Sequence, residues 1–250
     1  MYKHIEEIAL NSWPAEHTLL MRGWIVRCAG GYTKRSNSVS PLYDAPGQGR
    51  QTDELIHACE RFYAGRGLDT IFKITPFVRP TDIDSILERR GYRYADESEV
   101  RLLDLRNAPA PQRSASVSEE WDDAWHDGMA SCNRLSPAQI AVSRRMLRGS
   151  VMKQALFTLV SGGVPVAYGL GVVQGDYVGL YDIVTDASCR RRGFGEQLAL
   201  NILQWGKRNG ATHSYLQVVR QNEAAVRLYD KIGFRPVYRY WYRIKERIGE

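Results

Sequence analysis

The chain has 250 residues, of which 44% are hydrophobic and 25% are charged. This length and composition exclude a mini-protein and a mainly disordered or fibrous chain. The net charge of +6 at pH 7 is compatible with an anionic ligand, with nucleic acid or with a plain basic surface. Charge alone does not choose among these three.

No apolar run approaches the roughly 18 to 20 residues that a transmembrane helix needs, and the first residues are charged rather than signal-like. We therefore expect a cytoplasmic protein with no membrane partner. The four cysteines are dispersed and lack the spacing of zinc ligands. They are expected to be buried free thiols, and no metal site is expected.

The first half of the chain contains short apolar patterns. Residues 24–27 read as a strand, and residues 55–63 carry apolar side chains at helical spacing. A strand at 70–75 and a helix around 83–87 follow.

A change in composition follows at residues 107–116, where Pro, Ala and Ser replace the apolar periodicity. We interpret residues 108–117 as a linker between a domain of residues 1–107 and a second domain of residues 118–250. A long surface loop inside a single domain is the alternative.

The second half of the chain carries a more regular pattern. Two short helices are predicted first, the second one opening with Ser136 as cap and Pro137 as first residue. Three strands then form an antiparallel meander, at residues 155–160, 165–173 and 177–185.

The period then changes to that of a helix. Leu198, Ile202 and Trp205 lie on one stripe that ends at Asn209-Gly210. The remaining predicted elements are a strand at 214–219, a helix over 225–232 that Gly233 ends, and a strand at 237–244.

Two segments of the chain align with each other. Residues 87–93 (LERRGYR) and residues 229–235 (YDKIGFR) superpose without a gap. Two halves of related design are the simplest explanation, although a helix, a glycine cap and an aromatic residue also recur by chance in α/β proteins.

The sharpest motif is TDASCRRRGFG at residues 185–195, which joins the end of a strand to the start of a helix. Gly193 and Gly195 allow a tight turn that presents several backbone N–H groups to one point, and the positive end of the helix favours an anion there. With three consecutive arginines, this loop suits a diphosphate. It lacks the Lys-Ser/Thr of a Walker loop and the third glycine of a dinucleotide fingerprint.

This loop resembles that of the GNAT superfamily of acetyl-CoA-dependent N-acyltransferases, when it is taken with the flanking strand and helix and with the segment from Asn222 to Phe234. The resemblance covers about residues 118–245. It implies two GNAT-like halves in an α/β (α+β) fold, each a mixed, mostly antiparallel sheet flanked by helices. The cofactor it implies is acetyl-CoA (CoA).

The resemblance assigns one group of residues to the cofactor. These are Ile183, Val184 and Thr185 of the strand, Arg190, Arg191, Arg192, Gly193, Phe194, Gly195 and Glu196 of the loop and helix start, and Asn222 and Tyr229. The chain departs from the family pattern at Ala187, where a proline is common, and this changes the stiffness of the loop.

The implied reaction is direct attack of a primary amine on the thioester in a ternary complex, and the expected acceptor is a small molecule. A protein or peptide amine, and a non-catalytic CoA-binding module, remain alternatives. Nucleic acid is not expected, because the arginines concentrate where a diphosphate belongs. A monomer is favoured over a homodimer, since two GNAT-like halves can imitate the dimers that such folds often make.

The reaction needs a proton donor for the departing thiolate, whose thiol titrates near 8.5. Tyr229 fits this role by position, and a core tyrosine is the alternative. Alternation places Tyr181, Ile183 and Thr185 on one face of the strand, and the resemblance implies that Tyr181 faces the acceptor. Asp182 could serve as the base or amine-orienting group only if a bulge re-aims it. A buried hydrogen bond is the alternative for Asp182. For the base, a water relay or loss of the proton before binding is the alternative.

The first half lacks the glycine signature at the matching point, residues 43–50, and has Leu87 in place of the tyrosine. We interpret it as a degenerate half that forms a wall of the acceptor site. The polar side chains that follow its first strand are expected to contact the acceptor: Lys34, Arg35, Ser36 and Asn37. A solvated hairpin is the alternative there.

Overall fold

The computed structural model describes residues 2–44 and 50–247. They form two compact units. The larger unit contains residues 2–12 and 100–237, and the smaller unit contains residues 13–44, 50–99 and 238–247.

The helices and strands of the described residues follow one another in this order: α1 (Lys3–Ser12), β1 (His17–Met21), β2 (Trp24–Cys28), β3 (Val39–Pro41), α2 (Arg50–Ala64), β4 (Thr70–Ile74), α3 (Ile83–Arg89), β5 (Arg93–Asp104), β6 (Ser116–Ser118), α4 (Asp123–Asn133), α5 (Pro137–Arg148), β7 (Lys153–Ser161), β8 (Val164–Gln174), β9 (Tyr177–Thr185), α6 (Phe194–Arg208), β10 (His213–Val219), α7 (Glu223–Ile232) and β11 (Arg235–Lys245).

The smaller unit is built on a mixed, mostly antiparallel sheet. β2 pairs antiparallel with both β1 and β3, whereas β3 runs parallel to β4 through Val39 and Phe72. The end of β11 pairs antiparallel with β4, with Trp241 opposite Ile74. Helices α2 and α3 cover this sheet, and their core side chains include Ile56, which is fully buried.

The larger unit contains a sheet in the order β10, β9, β8, β7, β6. The pairs from β9 to β6 are antiparallel, as predicted for the meander, and β10 runs parallel to β9. Leu198, Ile202 and Trp205 of α6 face this sheet and lie in its core, which confirms the predicted stripe. Helix α5 begins at Ser136 with a complete capping box and Pro137 in its first turn.

The two units share one order of elements: three strands, a helix, a strand and a helix, with the third and fourth strands parallel. They also share the cap that the sequence alignment indicated. Gly91 and Gly233 both have positive φ, and the next amide in each case, Tyr92 or Phe234, donates at 3.0 Å to a carbonyl five residues back. The fold class of two α/β halves with mixed, mostly antiparallel sheets is confirmed.

The compact units do not follow the predicted sequence boundaries. Residues 108–117, predicted to link two domains, lie within the larger unit, together with α1 from the start of the chain. Residues 238–247 belong instead to the smaller unit, because β11 pairs with β4 there. The predicted divergent loop at 43–50 lies mostly outside the described residues, at 45–49.

All four cysteines are free thiols, but only Cys28 and Cys59 are buried; Cys132 and Cys189 are partly exposed, which corrects the expectation of four buried thiols. The described residues contain no group of three side chains suited to a metal ion. Nor do they include a helix long and apolar enough to cross a membrane.

Glycine in β8 sets how closely α6 approaches the sheet. A Cβ at Gly169 would lie 2.8 Å from Ile183 Cδ1 and 2.9 Å from Leu198 Cδ2. We predict that Gly169→Ala lowers the free energy of unfolding by about 1 to 3 kcal/mol through overpacking. Ile183→Val alone should cost about 0.5 to 1.5 kcal/mol.

The double variant Gly169→Ala/Ile183→Val should lose less than the sum of the single losses, because the valine vacates the space that the new methyl group needs. Urea unfolding of the four proteins measures this coupling. Strict additivity would contradict the assigned contact.

Candidate active site

β9 and β10 separate from each other soon after they begin. The parallel ladder between them ends with Ser214 opposite Val178 and Tyr215 opposite Gly179. β9 itself continues to Thr185, paired on its other side with β8. In the described residues no further register pair joins β9 to β10, so the two strands diverge where the predicted cofactor strand, residues 183–185, begins.

A β-bulge interrupts β9 at the same level. Asp182 has a φ of +47°, and the register with β8 shifts between Leu170, opposite Tyr181, and Tyr168, opposite Val184. The bulge on which the predicted role of Asp182 depends is therefore present. Because of this bulge, the prediction that Ile183 shares a face of β9 with Tyr181 is wrong. Ile183 instead packs with the core on the side of α6.

Two tyrosines occupy the point where the strands part. The hydroxyl groups of Tyr181 and Tyr215 are 2.6 Å apart, and both side chains are buried. Gly179 is required beneath them, since a Cβ there would lie 2.6 Å from the Tyr181 ring and 2.8 Å from the Tyr215 hydroxyl. Tyr181, predicted to face the acceptor, thus has its hydroxyl bonded to another tyrosine.

Helix α1 supplies a buried carboxylate near this pair. Glu6 has no exposed surface. Burial is the main cause that raises the pKa of Tyr215 well above its ordinary value. The Tyr181 hydroxyl and the charge of Glu6 act in the same direction. The Tyr215 hydroxyl therefore keeps its proton at neutral pH.

No motif in the sequence pointed to Glu6 or Tyr215 as residues of the site. The pattern of Ile5, Ile8 and Ala9 could have indicated an amphipathic helix at the start of the chain. Nothing in the sequence could show that this helix packs with residues 100–237 and not with the residues that follow it directly.

The loop after β9 is held by local hydrogen bonds. The Asp186 carboxylate accepts from the Ser188 backbone at 2.9 Å and from the Ser188 hydroxyl, and it caps a short 3-10 helix over Ala187–Cys189. These bonds lower the pKa of Asp186 below its usual value. They supply stiffness at the position where Ala187 replaces the more common proline.

The start of α6 presents unused amides and positive charge. Arg191 and Gly193 have positive φ, and the first helical hydrogen bond of α6 is the one that the Gln197 amide donates to the Gly193 carbonyl at 3.0 Å. The amides before it point out of the helix end. In the described part of the chain, the exposed Arg190, Arg191 and Arg192 have no carboxylate within salt-bridge distance.

Two further loop residues have defined neighbours. A Cβ at Gly195 would lie 3.4 Å from Leu228 and 3.5 Å from the Thr185 hydroxyl, so the helix end lies beside β9 and α7. The Glu196 carboxylate pairs with Lys231 at 2.6 Å. Its negative charge is thereby offset beside the arginines.

Helix α7 carries the other predicted cofactor residues. Asn222 caps it by accepting from the Ala225 amide at 3.2 Å. Tyr229 is 8% exposed and packs edge-on against Phe234, with ring centroids 5.8 Å apart. The buried Arg101 guanidinium bonds to Asp230 and so fixes the turn of α7 that holds Tyr229.

Burial raises the pKa of Tyr229 to about 12. Its phenol is therefore protonated throughout the physiological pH range, as a proton donor must be. The packing of Tyr229 also agrees with the alternative prediction of a core tyrosine, because the residue is part of the core under α6.

The four residues predicted to contact the acceptor from the first half lie in the smaller unit. The Asn37 side chain is 4% exposed and bonds to the backbone of Ala29, Gly31 and Thr33. Ser36 has no exposed surface and bonds to Thr33. These two side chains fasten their own loop, which corrects the expectation that they reach a ligand.

The other two members of this group are more accessible. Lys34 is partly exposed and pairs with Asp96 at 2.6 Å. The Arg35 guanidinium lies 4.9 Å from the centre of the Trp13 ring. Contact of Lys34 and Arg35 with an acceptor stays a prediction.

Comparison with known proteins yields relatives along the whole chain. Residues 2–243 match the family model described as "Probable histone acetyltransferase Rv0428c C-terminal". The "Uncharacterized N-acetyltransferase YobR" of Bacillus subtilis is 31% identical over 248 residues, which cover 97% of this chain and 98% of the relative.

Solved structures share the fold at low sequence identity. The GCN5-related N-acetyltransferase from Kribbella flavida has a TM-score of 0.75 and 12% identity, with 98% of this chain and 95% of that one covered. A tandem GNAT protein from the clavulanic acid biosynthesis pathway has a TM-score of 0.62 and 13% identity, over 98% and 89% of the two chains.

The start of α6 should bind a simple diphosphate. We predict that inorganic pyrophosphate raises the melting temperature, with a stabilisation of about 2.7 kcal/mol at one hundred times its dissociation constant. Replacing Arg190, Arg191 and Arg192 together by alanine should abolish the shift. Calorimetry at several pyrophosphate concentrations measures it.

The matched control is Arg208→Ala, at the other end of the same helix. It should keep the pyrophosphate effect, because the negative end of the helix attracts no anion. Equal loss in both variants would show a non-specific effect of net charge.

Proposed function

The chain belongs to the N-acetyltransferase family whose model is described as "Probable histone acetyltransferase Rv0428c C-terminal", and we propose that it acetylates a primary amine of a small molecule by direct attack in a ternary complex with acetyl-CoA. Acetyl-CoA supplies the acetyl group as a thioester. The observation that carries the proposal is the set of α6 amides at the end of a strand that diverges from its neighbour, beside three arginines that have no carboxylate at salt-bridge distance among the described residues.

The residues at the loop fit the diphosphate of the cofactor. The amides of residues 194–196, which precede the first helical hydrogen bond of α6, donate, and Arg190, Arg191 and Arg192 supply positive charge. Gly195 leaves no side chain between the helix end and Thr185. This combination of a helix end with guanidinium groups is a site for a phosphorylated ligand.

The diverging edge of β9 supports binding of the pantetheine arm. Ile183, Val184 and Thr185 lie beyond the last pair with β10. β8 pairs with their other edge, so the backbone groups that face away from β8 are available to an extended ligand that adds to the strand. Asn222, which closes the neighbouring turn of α7, keeps its amide nitrogen available after its oxygen caps the helix.

Tyr229 is the proposed proton donor. Its hydroxyl retains the proton because burial raises its pKa to about 12, and it can donate a hydrogen bond to sulfur as negative charge develops there. The same burial that strengthens this hydrogen bond also makes a nearby thiolate more basic.

Asp182 is the proposed base or amine-orienting group. The bulge turns its backbone at the level of Tyr181 and the divergence of the strands. An ammonium group near this carboxylate would be attracted and held, and it must lose a proton before it attacks.

A protein amine is the second candidate acceptor. The family model is named for a probable histone acetyltransferase, which favours lysine side chains as substrates. A panel that contains small primary amines and lysine-containing peptides, with thiol release as the readout, separates the two. Release only with the peptides would overturn the small-molecule acceptor. Binding of acetyl-CoA with no release across the panel would favour a non-catalytic module.

Tyr229→Phe tests the proton donor. We predict that kcat falls about a hundredfold, while KM for acetyl-CoA changes little because the ring remains. Steady-state kinetics from pH 7 to 10 should show no loss of wild-type activity attributable to Tyr229, since its pKa of about 12 lies above that range. Leu228→Met on the same helix serves as the packing control. An unchanged kcat in Tyr229→Phe would leave the residue with a core role only.

Asp182→Asn tests the base. The variant should lose kcat/KM for the amine by about tenfold to a hundredfold at pH 7. The deficit should shrink towards pH 10, where a primary amine with a pKa near 10.4 is increasingly deprotonated in solution. A deficit that is constant with pH would contradict a role in proton removal.

A further inference from the structure

The segment predicted to be a linker is fastened to the helix that begins at the arginine loop. The amides of Gln112 and Arg113 donate to Gln197 Oε1 at 2.7 and 3.0 Å. Asn201, one turn further along α6, donates to the Arg113 carbonyl at 2.7 Å and accepts from the Ala115 amide at 3.0 Å. Four hydrogen bonds thus fix the backbone on both sides of Arg113.

This fastening brings a fourth arginine to the start of α6. The Arg113 guanidinium lies 5.3 Å from the centre of the Phe194 ring, and that of Arg192 lies at the same distance. Phe194 is the first residue of α6 and is 2% exposed. Both guanidinium groups are therefore in contact range of one fixed aromatic ring at the helix start.

The positive charges of these two groups have no carboxylate partner in the described part of the chain. Within residues 2–44 and 50–247, neither Arg113 nor Arg192 has a carboxylate at salt-bridge distance. A phosphate bound by both guanidinium groups would neutralise this charge through paired hydrogen bonds. Arg113 itself is exposed, so a ligand can reach it.

We propose that Arg113 and Arg192 clamp the 3′-phosphate of CoA and make the protein discriminate CoA from 3′-dephospho-CoA. The inference rests on the proposed function, in which the diphosphate takes the amides at the start of α6. The 3′-phosphate is the remaining anionic group of CoA. As a monoester it carries nearly two negative charges at pH 7, which suits two guanidinium groups. Gln197 is a positioning residue that holds Arg113 in place.

Titration calorimetry with CoA and with 3′-dephospho-CoA tests the clamp. The wild type should bind CoA at least about tenfold more tightly than the dephospho form. Arg113→Ala should weaken CoA binding by about 10- to 100-fold and leave binding of 3′-dephospho-CoA unchanged. Gln197→Ala, which frees the backbone of Arg113, should give a smaller loss with CoA alone.

Arg208→Ala is the charge-matched control and should bind both ligands as the wild type does. Equal weakening of both ligands by Arg113→Ala, or a wild type that binds them equally, would overturn the clamp while the proposed cofactor stands. A wild type that binds neither ligand would overturn both proposals. Melting temperatures of the variants check that the exposed Arg113 side chain is not needed for folding.

Discussion

The candidate site of the larger unit depends on one feature: the hydrogen-bonded ladder between two parallel strands, β9 and β10, ends before the strands do. β9 and β10 pair only as far as Gly179 and Tyr215, although both strands continue. The Tyr181 and Tyr215 side chains fill the point of separation, and the bulge at Asp182 turns β9 relative to β8. A ladder that continued would close the edge of β9, so this separation is what allows a ligand to add to the strand.

The elements around this opening follow from close packing. Glycine at 169 admits the side chains of Ile183 and Leu198, and the helix end at Gly195 lies beside Thr185 and Leu228. Residues 186–193 join β9 to α6, and Asp186 stiffens this loop. The outward amides of the helix therefore lie near the end of the strand that diverges.

Positive charge is concentrated at the start of α6. Arg190, Arg191 and Arg192 come from the loop, and Arg113 reaches the same helix start from a distant segment. Their positive charge is not neutralised by carboxylates at salt-bridge distance in the described residues, so it remains available to an anion. Part of the net charge of +6 is thus concentrated where a phosphorylated cofactor is proposed to bind.

Local patterns in the sequence predicted the elements with strong periodicity and the loop motif. The stripe of α6, the meander before it and the cap at Gly233 are all set by neighbouring residues. Long-range placement could not be predicted in this way. α1 lies in the larger unit, the end of β11 lies in the smaller one, and residues 112–115 are attached to α6. Each of these placements depends on partners about 85 or more residues away. The bulge at Asp182 lies opposite Gly169 of β8, and the pattern within β9 alone does not reveal it.

Hydrogen exchange with acetyl-CoA tests the central claim, that the cofactor occupies the divergence of β9 and β10 and the start of α6. The amides of residues 183–185 that face away from β8, and those of residues 194–196, should exchange at least about tenfold more slowly in the presence of acetyl-CoA, because bound ligand protects groups that otherwise open to solvent. Residues 34–44 should be unaffected. Protection confined to the smaller unit, with none at residues 183–196, would contradict the account.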